Sequence, residues 1–408
     1  MNYRAVRDPV WKHIHIIEPL ADAMLTPEFV RLSRIRQLGP TEIMYPGAVH
    51  TRASHSIGVY EVARRLLEVL EQRGAGEWLT KSGKISWYAA ALFHDIGHFP
   101  YTHSLKELPL AEHENLSAQI VLIDSIASCI SNAGGSPEQT AAIIDNDIPV
   151  NDSETLFYRK LLSGVLDPDK LDYLNRDAYY CGVPYGVQDT DFVLECLYPD
   201  KERGLTIDSR GILAVENLLF SKYLMYRSVY WHKQVRIATA MMKKTLYAAL
   251  NKKIIEAEEL YQQDDNGIYE LLEKVSKENT FPEIICAKGV KNRNLYTVIE
   301  EIPFDETNDF HKSLENLDTR YFVELDFAQK LGIPPEDILI DVPERISFES
   351  DLWIKDENVV FSESSTVFSN ETVKSFTSSL RKIRIAVKNP KKKYKINEFF
   401  VKKKKNVL

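Results

Sequence analysis

Apolar side chains recur at helical spacing through most of the first 250 residues, and this periodicity predicts the elements before any chemistry is considered. Val59, Val62, Leu66 and Val69 mark one stripe of a helix over 51–72, and His55 lies one turn before Val59 on that stripe. Similar patterns predict helices over 26–37, 86–93, 113–130, 137–144, 158–166, 168–181, 213–233 and 236–251. Thr26 before Pro27 and Asp167 before Pro168 each pair an N-cap with a proline at the first helical position, which fixes two of these starts. The stretch 183–187 reads as a loop, with short strands around 204–208 and at Ile212. Beyond about Asn251 the pattern changes. Acidic helices over 256–263 and 268–278 give way to strand-like runs over 294–302, 338–342, 352–362 and 383–387. The expected fold class is mainly α, with a helical core in 1–250, a smaller α+β region in 251–380 and a basic tail in 381–408.

Composition supports that frame. A chain of 408 residues with 44% hydrophobic side chains can bury one large core and a smaller second one. No apolar run reaches the roughly 20 residues of a membrane span, and residues 1–10 carry charges where a signal peptide needs an apolar core. These features predict a cytoplasmic protein with no membrane partner. Cys129, Cys181, Cys196 and Cys286 lack paired zinc spacing, which predicts reduced thiols. The net charge of −8 hides a segregation: residues 381–408 hold twelve Lys or Arg against one Glu, and removing that +11 leaves −19 on the rest. With Tyr394, Phe399 and Phe400 interleaved among its lysines, the tail suits an anionic partner: nucleic acid, a nucleotide or the acidic face of another subunit. A solvated terminus is the alternative.

The chemistry begins where the apolar stretch 85–93 runs into His94 and Asp95. An ionised Asp at the end of a buried helix costs several kcal/mol without a partner, so Asp95 calls for a cation or a strong donor set. A metal ion held by both side chains meets that need. His55 points inward by its stripe. On the helix over 168–181, Asp169, Tyr173, Arg176 and Asp177 fall near one polar face. His98, His103 and His113, the last between Glu112 and Glu114, bring five of the chain's ten histidines to His55 and the stretch 94–113. Taken singly, an inward His is more often a core residue and a charged helix face more often solvated; the clustering argues otherwise.

In order and spacing, His55, His94, Asp95 and Asp169 resemble the ligand set of the HD-domain phosphohydrolases. The stretches 34–39, 45–48, 52–58 and 167–173 are similar to the branch containing the deoxynucleoside triphosphate triphosphohydrolases, over about the first 240 residues. The resemblance implies an HD-domain helical catalytic core whose four ligands hold a divalent transition metal. Two imidazoles and two carboxylates suit manganese, iron, nickel, cobalt or zinc, with magnesium accompanying a triphosphate. It implies hydrolysis of a deoxynucleoside triphosphate to deoxynucleoside and inorganic triphosphate. It assigns His98, His103, His113 and Glu114 to catalysis, with His113 as proton donor and Glu114 orienting it. Arg52, Lys170 and Lys222 become phosphate contacts, Gln37, Tyr173, Asp177 and Tyr230 surround the sugar, and Tyr226 is a further substrate-site position. Lys222 and Tyr226 stand where the animal members carry Arg and His. Contacts to an activating guanine nucleotide in those members fall here at Leu25, Val30 and Ser33, which lack the polar groups, so that activation is not expected. A homo-oligomer, dimer or tetramer, is implied. Two other readings stand beside this one: an HD phosphodiesterase or phosphatase acting on another nucleotide or oligonucleotide, and a nucleic-acid-binding protein with a nucleotide-sensing HD core.

Overall fold

The computed structural model describes residues 2–346, 348 and 350–390, so the aromatic and lysine clusters from 391 onward lie outside the described residues. It opens with an element that the periodicity does not reveal, an antiparallel hairpin of Tyr3–Asp8 and Lys12–Ile17 with Asp8 opposite Lys12. Ile14 and Ile16 on its inner face are fully buried, which seats the hairpin on the first core.

That core is helical. Arg52–Gln72 starts with Thr51 accepting from the Ser54 amide in a capping box and buries Val59, Val62 and Leu66 with His55, as the stripe requires. Lys81–Phe93 begins five residues earlier than expected because Thr80 caps it. The expected helix over 26–37 is only Pro27–Leu32. Beyond it, Gln37 and Arg52 donate backbone hydrogen bonds to His50 and Ile35, and this long-range pairing replaces the helical ladder. The expected helix over 113–130 is two, His113–Val121 and Asp124–Ala133, bent by 71° at an extended Ile123. Pro137–Ile144 and Pro168–Cys181 have the expected limits, and Ser153–Leu162 starts five residues early under an Asp152 cap. Gly204–Ile207 is a strand as expected, whereas Ile212 opens a helix, Ile212–Met225. One π-helical turn, Tyr226–Tyr230, separates it from the helix Lys233–Asn251.

The C-terminal part is mixed. Thr297–Pro303, Lys382–Val387 and Ile338–Asp341 form an antiparallel sheet with Lys382–Val387 at its centre, flanked by the helix Leu317–Leu331. The first residues of the basic stretch are thus buried structure: Arg381 pairs with Glu306 and Glu315, and Arg384 with Glu301 and Asp341. The expected strand over 352–362 is a small hairpin, Trp353–Ile354 with Val359–Val360, added to the Gly204–Ile207 pair. Through it, Ile346, Phe348, Leu352 and Phe361 return to the first core. A second core forms around Lys233–Asn251 and takes in Phe99, Leu105 and Leu108 from the loop after Asp95. No single helix among the described residues is long and apolar enough to cross a membrane.

Candidate metal centre and substrate cleft

Four helices converge on one point. The buried helix Lys81–Phe93 ends at His94, whose ring Nδ1 lies 2.9 Å from the Ala91 carbonyl. That hydrogen bond puts the proton on Nδ1 and leaves Nε2 as a lone-pair donor. Nε2 is buried without a hydrogen-bond partner, 3.4 Å from Asp95 Oδ1 and 3.9 Å from Asp169 Oδ1. A buried acceptor of this kind calls for a ligand. His55 repeats the arrangement: Nδ1 is 2.8 Å from Asp172 Oδ2, and Nε2 faces Asp169 Oδ1 at 2.9 Å and Asp95 Oδ2 at 3.7 Å. The ligand atoms of His55, His94 and Asp95 all lie within 4.8 Å of one another. Two imidazole nitrogens and two carboxylates around one space fit a divalent transition metal with coordination positions left for substrate and water.

Electrostatics agree. Burial alone would raise the Asp95 carboxyl, but His98, His94 and Arg52 hold it well below the usual range. Burial opposes charge on His55, yet Asp169 and Asp172 push it up to about 10, so the pocket is built to hold positive charge there. Burial and the nearby Arg52 keep His98 well below its ordinary value, hence neutral.

Two glycines make the convergence possible. A Cβ on Gly97 would lie 2.5 Å from the His113 carbonyl oxygen and the Ser117 nitrogen. Its absence lets His113–Val121 pack on the turn after Asp95, where Ser117 Oγ accepts from Gly97 and donates to the His94 carbonyl. His113 thereby stacks on His98 with ring centroids 3.9 Å apart, and His103 sits 5.2 Å from His113. Glu114 Oε2 is 3.0 Å from His113 Nδ1. A Cβ on Gly58 would fall 1.9 Å from Asp172 Oδ1, so this glycine admits the carboxylate behind His55.

A cleft of about 580 Å³ opens over the site. His94, Asp95, Asp169, His103, His113, Glu114 and Arg52 line it, as do Gln37, Tyr173, Asp177, Lys222, Tyr226 and Tyr230; Asp169 and Asp177 stand about 12 Å apart along the helix Pro168–Cys181, so the lining runs from the ligand cluster to the Asp177 region. His55 and His98 are buried behind it. Arg52 reaches Asp95 Oδ2 at 2.7 Å. Tyr230 donates to Asp177 Oδ2 at 2.6 Å, and His50 Nε2 meets Oδ1 at 2.7 Å. The π-helical turn presents both Tyr226 and Tyr230 to the cleft, a distortion often found at functional sites. Lys170 is placed differently from the other candidates: its Nζ binds Asp167 Oδ2 at 2.5 Å and the Gly164 carbonyl at 2.9 Å, and it does not line the cleft.

Several residues escape the sequence reading. Asp172 and Arg176 back His55, His50 backs Asp177, and Arg31 donates to the Ile96 and His98 carbonyls and so holds the turn after Asp95. Lys106, Arg236, Glu344 and Arg345 complete the cleft from outside the helical core's own motifs. Only Asp172 leaves a local signal, its i, i+4 spacing to Arg176.

Comparison with known proteins agrees with this geometry. The HD domain family matches residues 52–129 and the HD associated region residues 193–386, so Asp169 lies between the two matched segments. An uncharacterized protein of Bacillus subtilis is 36% identical over 249 residues, 60% of this chain; the match spans 56% of that relative's length. An uncharacterized protein of Methanocaldococcus jannaschii is 30% identical over 349 residues, 83% of this chain and 69% of that protein. A deoxynucleoside triphosphate triphosphohydrolase homolog of Dictyostelium discoideum is 25% identical over 73% of this chain and 60% of its own length. Among solved structures, a phosphohydrolase from Bacteroides thetaiotaomicron superposes with a TM-score of 0.72 at 26% identity, covering 95% of this chain and all of that one. With its HD domain, its HD-associated region and a histidine and carboxylate cluster within the first of these, the chain belongs to the HD-domain phosphohydrolase family.

Proposed function

We propose that this protein is a metal-dependent deoxynucleoside triphosphate triphosphohydrolase, releasing deoxynucleoside and intact triphosphate. The observation that carries the reading is the one cleft that His94, Asp95, Asp169 and Arg52 line together with the Tyr230–Asp177 pair and three further polar or aromatic side chains, with His55 buried behind it. The span of about 12 Å from Asp169 to Asp177 along their helix suits a substrate with an anionic chain at one end and a sugar at the other. The Dictyostelium relative's name supports the same substrate class.

His55, His94, Asp95 and Asp169 would hold the ion. When bound, a divalent metal supplies Lewis acidity to a phosphoryl oxygen and orients a water for attack on phosphorus. Arg52, fixed by its bond to Asp95, presents guanidinium charge to the phosphates and stabilises the charge that builds up in the transition state. Water adds to the α-phosphorus as the bond to the sugar's 5′ oxygen breaks. His113, oriented by Glu114, delivers the proton that the departing oxygen requires. His98, stacked on His113 and held neutral, keeps that imidazole in place. At the other end, Asp177 accepts from Tyr230 and offers a fixed carboxylate to a sugar hydroxyl, while packed tyrosine rings leave little room for a second hydroxyl.

The test is to incubate metal-stripped protein, reloaded with manganese, with each deoxynucleoside triphosphate singly and mixed, and to resolve the products. Deoxynucleoside and triphosphate in equal amounts are expected. Monophosphate with pyrophosphate, or stepwise release of phosphate, would assign the site to a different phosphoester reaction.

A further inference from the structure

The metal centre has a support that joins two segments 161 residues apart in sequence, Trp11 and Asp172. Asp172, which accepts from His55 Nδ1, is fully buried and engaged on both oxygens. Arg176 donates Nε to Oδ2 at 2.8 Å and Nη2 to Oδ1 at 2.9 Å, and the indole Nε1 of Trp11 donates to Oδ1. The third arm of Arg176, Nη1, donates to Asp8 Oδ2 at 2.8 Å. The other oxygen of Asp8 accepts the backbone N–H groups of Val10 and Trp11, both at 2.8 Å. Asp8 therefore shapes the tip of the N-terminal hairpin, with Lys12 in the left-handed region at φ 69°, and that tip delivers the Trp11 indole to Asp172. Asp8, Asp172, Arg176 and His55 are each at most 4% exposed.

We propose that Trp11 and Asp8 are positioning residues for the metal centre, acting through Asp172 on His55. A carboxylate hydrogen-bonded to a ligating imidazole sets its tautomer and the direction of its lone pair, and such partners contribute 10- to 100-fold to metal affinity. Asp172 can do this in one orientation only if its second oxygen is held as firmly as its first. Arg176 alone spans both oxygens but is itself aimed by Asp8. The hairpin supplies the two contacts that fix the remaining freedom, and both lie outside residues 52–129, so the HD domain by itself does not contain the complete support of its first ligand.

This inference rests on the reading of the quartet as a metal site, and the test keeps the two apart. Full-length protein is stripped of metal, and its affinities for Mn(II) and Co(II) are measured by competition with a chelator, alongside the melting temperature of the metal-free form. Trp11→Phe keeps the ring and removes the donor. It should weaken binding of both ions by about tenfold while leaving the metal-free melting temperature close to that of the wild type. Asp8→Asn should act in the same direction. In an Asp172→Asn background, Trp11→Phe should add no further loss, because the path is already cut. Unchanged affinity in Trp11→Phe, or an equal loss in both backgrounds, would overturn the proposal and leave the hairpin as packing alone. Wild-type protein that takes up neither ion would overturn the metal reading itself, together with what rests on it.

Discussion

The two ends of the cleft are built in different ways. The proposed metal end draws on helices in the first 181 residues and on the turn after His94, and its two imidazoles are each backed by a hydrogen bond that fixes their orientation. The proposed sugar end is assembled from Gln37, two further side chains of the helix Pro168–Cys181 and the π-helical turn, and Glu344, Arg345 and Ile346 also line the cleft. The contrast separates two demands. Holding a metal requires a few atoms within a few tenths of an ångström, which buried helices supply. Gripping a nucleoside requires a wall, which distant segments supply jointly, and substitution there should tune selectivity more than abolish chemistry.

Substitution at the metal end should give the largest effect. Asp169→Ala or His94→Ala should lose bound metal and at least about a thousandfold in turnover, some 4 kcal/mol, with the helical circular dichroism unchanged. Full turnover by metal-free Asp169→Ala would erase the distinction between the ends. Next comes the loop that joins them. Glu107, clasped by Lys243 and Arg320, pins the segment bearing His103 to the second core. Glu107→Gln leaves two buried cations short of a partner and should cost about 3 kcal/mol of stability, read by denaturant unfolding, with metal content intact. The same region should be acid-sensitive. Burial alone would raise Glu107 and Asp341, but Lys243 and Arg320 hold the first, and Arg236 and Arg384 the second, below the ordinary carboxylate range. A lowered folded value means that their stabilisation is complete above the unfolded value of about 4 and is lost as pH falls through the folded one. Unfolding free energy should therefore decline below about pH 4 in the wild type and decline less in Glu107→Gln.

Much of the metal end was legible because its signals are local. The stripe of Val59, Val62 and Leu66 turned His55 inward, and the Asp167–Pro168 pair started the Asp169 helix where the structure starts it. The helical class and the mixed C-terminal region followed from the same periodicities. The hairpin was missed: its alternation, His13-Ile14-His15-Ile16, is only a few residues long, and the worth of its tip lies in a contact 161 residues away. Arg176 read as part of a polar helix face and Asp172 was passed over, since an i, i+4 pair looks the same whether it meets solvent or a buried ligand. Glu344 and Arg345 reach the cleft only through tertiary crossing, which no local pattern records.

Smaller effects should sharpen the sugar end. Tyr230→Phe removes the hydroxyl on Asp177 and should lower kcat/KM for a deoxynucleoside triphosphate by about tenfold, narrowing the preference over the ribonucleotide, with metal content unchanged. Lys170→Ala should also retain metal. Because Lys170 ties Asp167 to the Gly164 carbonyl, it should show a modest loss in turnover through the start of the Asp169 helix; loss of metal would show that Lys170 serves the quartet instead.

The central claim is that both ends act on one substrate, with attack at the phosphorus nearest the sugar. Hydrolysis of a deoxynucleoside triphosphate by the manganese-loaded protein in ¹⁸O-water tests it most directly. The account predicts the label in the released triphosphate and none in the deoxynucleoside. Label in orthophosphate, pyrophosphate or a nucleoside monophosphate would place the attack elsewhere and contradict it.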